Sequence, residues 1–172
     1  SAKNQIDHGI WGHWPRFYPE MPVTKELAAD AAVHADCAVV TIGRSSGEDR
    51  ENALEKGSFF LTDDERTLLE TVTEAFEKTV VLLNVGSLMD LSWLEEFGNK
   101  IGAVLLVWQG GMESGNAVAD LMCGAVCPSG RLTDTIARQY SDYPSADDFG
   151  AAEFNNYTED IFVGYRWVET FK

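Results

Sequence analysis

Basic residues are scarce in this chain. Thirteen Lys and Arg stand against 28 Asp and Glu, a formal net charge of −15 over 172 residues. A surface of that sign repels phosphate backbones and anionic headgroups, so neither a nucleic-acid nor a membrane partner is expected. Histidine is sparser still. His8, His13 and His34 lie far apart, without H-x₃-H or H-E-x-x-H spacing, so no metal site is expected. There are three cysteines, Cys37, Cys123 and Cys127. An odd count with no C-x-x-C argues against a disulfide framework, and a reducing cytoplasm is the default compartment. Cys37 reads as a small apolar strand residue. No apolar run reaches the roughly 20 residues of a membrane-spanning helix. No secretory leader is legible. Both G-x-G-x-x-G and the Lys-Ser/Thr of a P-loop are missing, and no cofactor is expected.

What is present describes a globular domain. The chain is 45% hydrophobic and 11% aromatic, enough for one domain with a sizeable core. Residues 1–23 form an arm rich in aromatics and proline, with Trp11, Trp14, Phe17 and Tyr18 among Pro15, Pro19 and Pro22. It lacks helical or strand periodicity and reads as extended. Such an arm either packs on protein or offers a stacking surface for sugar rings. Residues 24–172 form the domain proper. Thr24 is a candidate cap for a helix over 24–36. An apolar strand follows near 37–43. Thr62-Asp63-Asp64-Glu65 is a capping box, opening a helix that carries Leu68, Leu69, Val72 and Phe76 as far as Lys78. Val80-Val81-Leu82-Leu83 is a second buried strand. A short helix near 91–98 precedes a third strand at 103–107, and a helix over about 115–124 follows. Residues 139–160 are polar and loop-like, and 161–167 read as a last strand. Helix alternating with apolar strand predicts a three-layer αβα sandwich on a mostly parallel sheet.

In such sheets the chemistry gathers in loops beyond the strands' carboxyl ends. Ser45-Ser46-Gly47-Glu48-Asp49-Arg50 is the most polar of these loops. Gly43-Arg44-Ser45-Ser46-Gly47 does match the G-x-S-x-G nucleophile elbow. The elbow needs a histidine after the serine, and all three histidines precede it. Gln109-Gly110-Gly111-Met112-Glu113-Ser114-Gly115 opens a helix, but Glu113 would repel phosphate and suits the helix-terminal amides better. That leaves Glu48, either a solvated loop carboxylate paired with Arg50 or a general acid/base. A carboxylic acid can protonate a leaving glycosidic oxygen when its surroundings raise its pKa. A second carboxylate across the substrate is then required.

Four blocks stand in order along the chain. They are Ser46-Gly47-Glu48-Asp49-Arg50, the run from Val107 to Asp120 containing Trp108-Gln109-Gly110-Gly111-Met112-Glu113, Pro128-Ser129-Gly130-Arg131-Leu132-Thr133-Asp134-Thr135, and the run from Tyr157 to Arg166. Together, over roughly residues 25–170, they resemble the α/β sandwich domain of glycoside hydrolase family 3, the β-glucosidase family. The likeness is closest to bacterial members, including some in which this domain precedes the barrel. The resemblance implies a retaining β-glycosidase without cofactor. Its nucleophile, an aspartate, would lie on a (β/α)₈ barrel. Glu48 matches the acid/base glutamate, and Asp49 and Arg50 would fix the loop. In related members two residues separate the glutamate from Asp-Arg, whereas Glu48 and Asp49 are adjacent here. Glu51 and Glu55 are therefore alternative proton carriers. Tyr165 and Arg166 look structural in the family. A barrel needs about 250 residues, which this chain cannot supply, so the fragment alone is expected to be inactive. Two rivals remain. One is a non-catalytic carbohydrate-binding or scaffolding module using Trp11, Trp14 and Tyr18. The other is the same family acting as β-xylosidase or β-N-acetylglucosaminidase.

Overall fold

The computed structural model describes residues 15–46, 52–151 and 153–172. At its centre are three parallel strands, β1 (Ala38–Gly43), β2 (Thr79–Asn84) and β3 (Ile101–Leu106), in spatial order β1-β2-β3. The helices α1 (Lys25–His34), α2 (Asp63–Ala75), α3 (Leu94–Phe97), α4 (Ser114–Met122) and α5 (Tyr165–Phe171) surround and follow them.

Each element has a local cause. Thr24 caps α1, its hydroxyl accepting from the Leu27 amide at 3.2 Å. The expected capping box opens α2. The Glu65 amide donates to Thr62 Oγ1 at 3.1 Å, and the Thr62 amide donates to Glu65 Oε2 at 2.8 Å. This helix ends at Ala75, short of the expected Lys78, because Phe76 turns extended at ψ 136°.

Strand register decides the core. Val40 lies beside Val81 and Val104, and Ile42 beside Leu83 and Leu106. With a side-chain period of two, these residues share one face. Leu69 and Val72 of α2 and Phe97 of α3 join them in a single apolar cluster, together with Val85, Met89 and Trp93. A right-handed crossover puts the helices of successive β-α-β units on one face when the sheet advances in one direction. Trp93 is fully buried, and its Nε1 donates to the Asp90 carbonyl at 2.8 Å.

Three sequence expectations need correction or placement. Residues 161–167 do not form a strand. Gly164 adopts φ +63°, and α5 starts at the next residue. Short apolar runs do not distinguish strand from helix by pattern. Here Trp167 and Phe171, four apart on one helix face, stack at 4.5 Å, and Phe171 meets Phe162 at 5.2 Å. Tyr165 and Arg166 sit exposed on this helix, the guanidinium donating to the Ile161 carbonyl at 3.2 Å. Cys37 is exposed and precedes β1 instead of facing the core. Cys123 and Cys127 are likewise free and exposed. Of the arm, Trp11 and Trp14 lie outside the described residues. Of its remainder, Arg16 donates to Ser58 Oγ at 3.1 Å and the Phe17 ring covers Gly57, whereas Tyr18 is 70% exposed. Gly57 has φ +82°, and a side chain there would strike that ring, so both backbone and space demand glycine.

Candidate functional site

The three parallel strands end together, and the loops leaving them meet. Pairing runs one residue past β1, since the Arg44 amide donates to the Asn84 carbonyl at 3.0 Å. The Arg44 side chain is buried, which for a guanidinium demands a partner. It has a fork-to-fork pair with Glu65: one nitrogen donates to Glu65 Oε2 at 2.8 Å and the other to Oε1. Further bonds reach the carbonyls of Gly43 at 2.9 Å, Ser58 at 3.4 Å and Phe60 at 3.4 Å. The Phe17 ring lies 5.9 Å from the guanidinium carbon. One side chain thus joins the end of β1, the 58–60 turn and the first turn of α2.

Glu65 serves two structures at once, because the same carboxylate closes the capping box. Glu20 feels this pair. Burial chiefly pushes its pKa above 4.5, the Glu65 charge adds to the rise, and Arg44 opposes it. A raised carboxyl pKa means the folded state disfavours the charged form. Glu20 therefore costs stability at neutral pH, and the cost fades as pH falls through the raised value. Glu20→Gln should raise the thermal midpoint at pH 7 by a small margin and leave it unchanged near pH 4. An equal shift at both pH values would contradict this.

Glu48, Asp49, Arg50 and the alternative Glu51 lie outside the described residues, but both ends of their loop are described. At the near end, Ser46 Oγ donates to Gln109 Oε1 at 2.8 Å. Gln109 Nε2 donates in turn to the Arg44 carbonyl at 2.9 Å. Gly86, in the loop after β2, abuts Ser46 so closely that a Cβ there would overlap the serine side chain. At the far end, Asn52 Nδ2 donates to the Leu88 carbonyl. Ser58 Oγ accepts from the Ala53 amide at 2.9 Å. Glu55 is exposed, in a turn where its carbonyl accepts from the Ser58 and Phe60 amides. The Ser45 hydroxyl donates to the Pro15 carbonyl at 2.6 Å, tying down the arm.

In the loop after β3, Trp108 has φ +54°. A tryptophan in that region is uncommon and strained. Glu113 stands at the N-cap of α4 but makes no capping bond; its carboxylate accepts from Asn116 instead. The reason is its backbone, at φ −96° and ψ 11°, outside the extended region from which a capping side chain reaches the amides. Among the described residues, no three His, Cys, Asp or Glu gather in a metal-holding group.

Arg44, Glu65 and Gln109 were missed as site residues in the sequence. The signal for the first two was modest: an arginine ending an apolar strand, and a glutamate fixed by its capping box. Gln109 stood in two runs read from the sequence, the helix-opening loop after β3 and the second of the four blocks, but neither pointed to its own side chain.

A parallel sheet whose loops converge at one edge, with a charged loop fastened at both ends, defines an α/β domain that offers a loop site at its strand termini. The chain belongs to the family described as the glycosyl hydrolase family 3 C-terminal domain, which it matches over residues 4–165. It is 43% identical over 171 residues to a β-glucosidase of Ruminococcus albus, covering 99% of this chain and 18% of that protein. Among solved structures, a β-glucosidase from Paenibacillus barengoltzii is 50% identical, with a TM-score of 0.89, over 99% of this chain and 19% of its own. The β-glucosidase 3B of Thermotoga neapolitana, solved in complex with glucose, is 39% identical with a TM-score of 0.79, over 91% of this chain and 23% of its own. The fold class read from the sequence, an αβα sandwich, stands. The chain spans about a fifth of the length of these relatives.

Proposed function

We propose that this chain is the acid/base-bearing domain of a retaining β-glucosidase acting on terminal, non-reducing β-D-glucosyl residues. Glu48 donates the proton, and a (β/α)₈ barrel of the same protein supplies the nucleophile. The observation that carries this reading is the fastening of the loop over residues 47–51. Ser46 and Asn52 hold its two ends at the carboxyl edge of the sheet, where α/β folds place their ligands. A proton donor must approach one oxygen within hydrogen-bond reach, and Ser46 and Asn52, on either side of Glu48 in the chain, are both anchored there.

The chemistry then follows in two steps. Glu48, protonated, gives its proton to the glycosidic oxygen as the barrel carboxylate attacks the anomeric carbon. As a carboxylate, Glu48 next takes a proton from the water that releases glucose. Asp49 and Arg50 hold the loop. The two carboxyl groups must stand only about 5–5.5 Å apart, so the site closes only when both domains are present. The test is a comparison of the full-length protein with this chain. Full-length protein should hydrolyse aryl β-glucosides, with β-glucose as the first product by proton NMR. The chain alone should release no aglycone. Release of α-glucose first, or turnover by the chain alone, would refute the reading.

A further inference from the structure

We propose that Gln109 is a positioning residue for the acid/base loop. This rests on the reading of Glu48 given above and adds a residue to it. The side-chain amide of Gln109 uses both ends on the first residues of that loop. Its Oε1 accepts from the Ser46 hydroxyl at 2.8 Å, and its Nε2 donates to the Arg44 carbonyl at 2.9 Å. The orientation is dictated by chemistry. A backbone carbonyl can only accept, so the nitrogen must face Arg44, and the rotatable hydroxyl adapts to the oxygen.

Gln109 is exposed, and its side chain is no member of the apolar core. Its bonds join the loop after β3 to the loop after β1. Gly86 packs against this pair, leaving no room for a side chain of its own beside the Ser46 hydroxyl and the Gln109 amide. The Arg44 carbonyl is fixed in turn, since that residue's guanidinium is locked to Glu65. Glu48 follows Ser46 by two residues. Two residues of extended chain span at most about 7 Å, so the Cα of Ser46 lies within that distance of the Cα of Glu48. A shift of about 1 Å at a reacting group can cost 10²-fold in rate.

The test uses the full-length protein and three variants, Gln109→Ala, Gln109→Glu and Glu48→Ala. Each is assayed on β-glucosides with good and poor leaving groups, across pH. For Gln109→Ala, kcat on poor leaving groups should fall about ten- to a hundredfold, with KM changing less than about twofold. The basic limb of kcat/KM, which reports the acid, should move. Gln109→Glu should be at least as impaired. Its carboxylate fills the same space but has no proton to give the Arg44 carbonyl, so a space-filling role would leave it near wild type. The thermal midpoint of both variants should stay close to that of the parent.

If Glu48→Ala shows the leaving-group dependence of an acid/base while both Gln109 variants keep parental rates and pH profiles, the clamp is refuted and the function stands. If Gln109→Glu alone is active at parental level, Gln109 merely fills space and the proposal falls. If Glu48→Ala itself leaves turnover intact, the functional reading falls and the clamp with it.

Discussion

Glu48→Ala in the full-length protein should lower turnover of alkyl β-glucosides by about 10²- to 10⁴-fold, the usual worth of a positioned general acid or base. Dinitrophenyl β-glucoside should behave differently. Its leaving group needs no proton, so kcat/KM, which reports formation of the glycosyl-enzyme, should change little. Its kcat should still fall, because no base remains to activate water in the second step. Azide needs no base and should restore that kcat, giving β-glucosyl azide. Equal losses on both substrates would mean a structural defect. No loss on either would make Glu48 a solvated loop carboxylate. The alternatives Glu51 and Glu55 would then be tested in the same way. Glu55 starts at a disadvantage, since its exposed turn is set by its own carbonyl.

The second large effect concerns the Arg44–Glu65 pair. Both side chains are buried, at 7% and 2% exposure. Removing one partner leaves the other as an uncompensated buried charge, at a cost of about 3–5 kcal/mol. Arg44→Met and Glu65→Leu should each lower stability by that amount in urea unfolding of the 172-residue chain. Glu65→Leu should be the worse, since it also opens the capping box, a loss of about 1 kcal/mol. Combining them should recover much of the deficit, because no orphaned charge is left and apolar groups of similar volume replace the pair. Glu65→Gln is the informative intermediate. Its amide oxygen can still close the capping box, yet Arg44 loses its counter-charge, so most of the loss should remain. A double variant as unstable as the sum of the singles would show that the two side chains act independently, contrary to their geometry.

How far the sequence carried depended on the range of the interaction. Local signals were faithful. Thr62 and Glu65 are three residues apart, and their reciprocal bonds were legible as a pattern before any coordinates. The apolar run of β2 was legible because a parallel strand buried on both faces is continuously hydrophobic. Distant pairings were not. Arg44 finds Glu65 across 21 residues and Gln109 finds Ser46 across 63. Nothing in residue type or spacing announces such partners. The block from Gly43 to Gly47 drew attention for its serines, while its arginine does the joining. The error at 161–167 has another origin. A short apolar run suits a strand as well as a helix, but one glycine at positive φ, followed by Trp167 and Phe171 a turn apart, makes a helix.

The double duty of Glu65 bears on how the domain opens. Native proteins come apart in cooperative segments, and residues sharing a bond share a fate. Fraying the first turn of α2 withdraws the counter-ion of Arg44, and the start of the loop after β1 is released with it. Amide hydrogens at Arg44 and Glu65, bonded to Asn84 and Thr62 respectively, should thus exchange with solvent in step. The anchorage of the segment leading to the proposed proton donor would depend on the winding of a helix further along the chain, through Arg44 and Glu65.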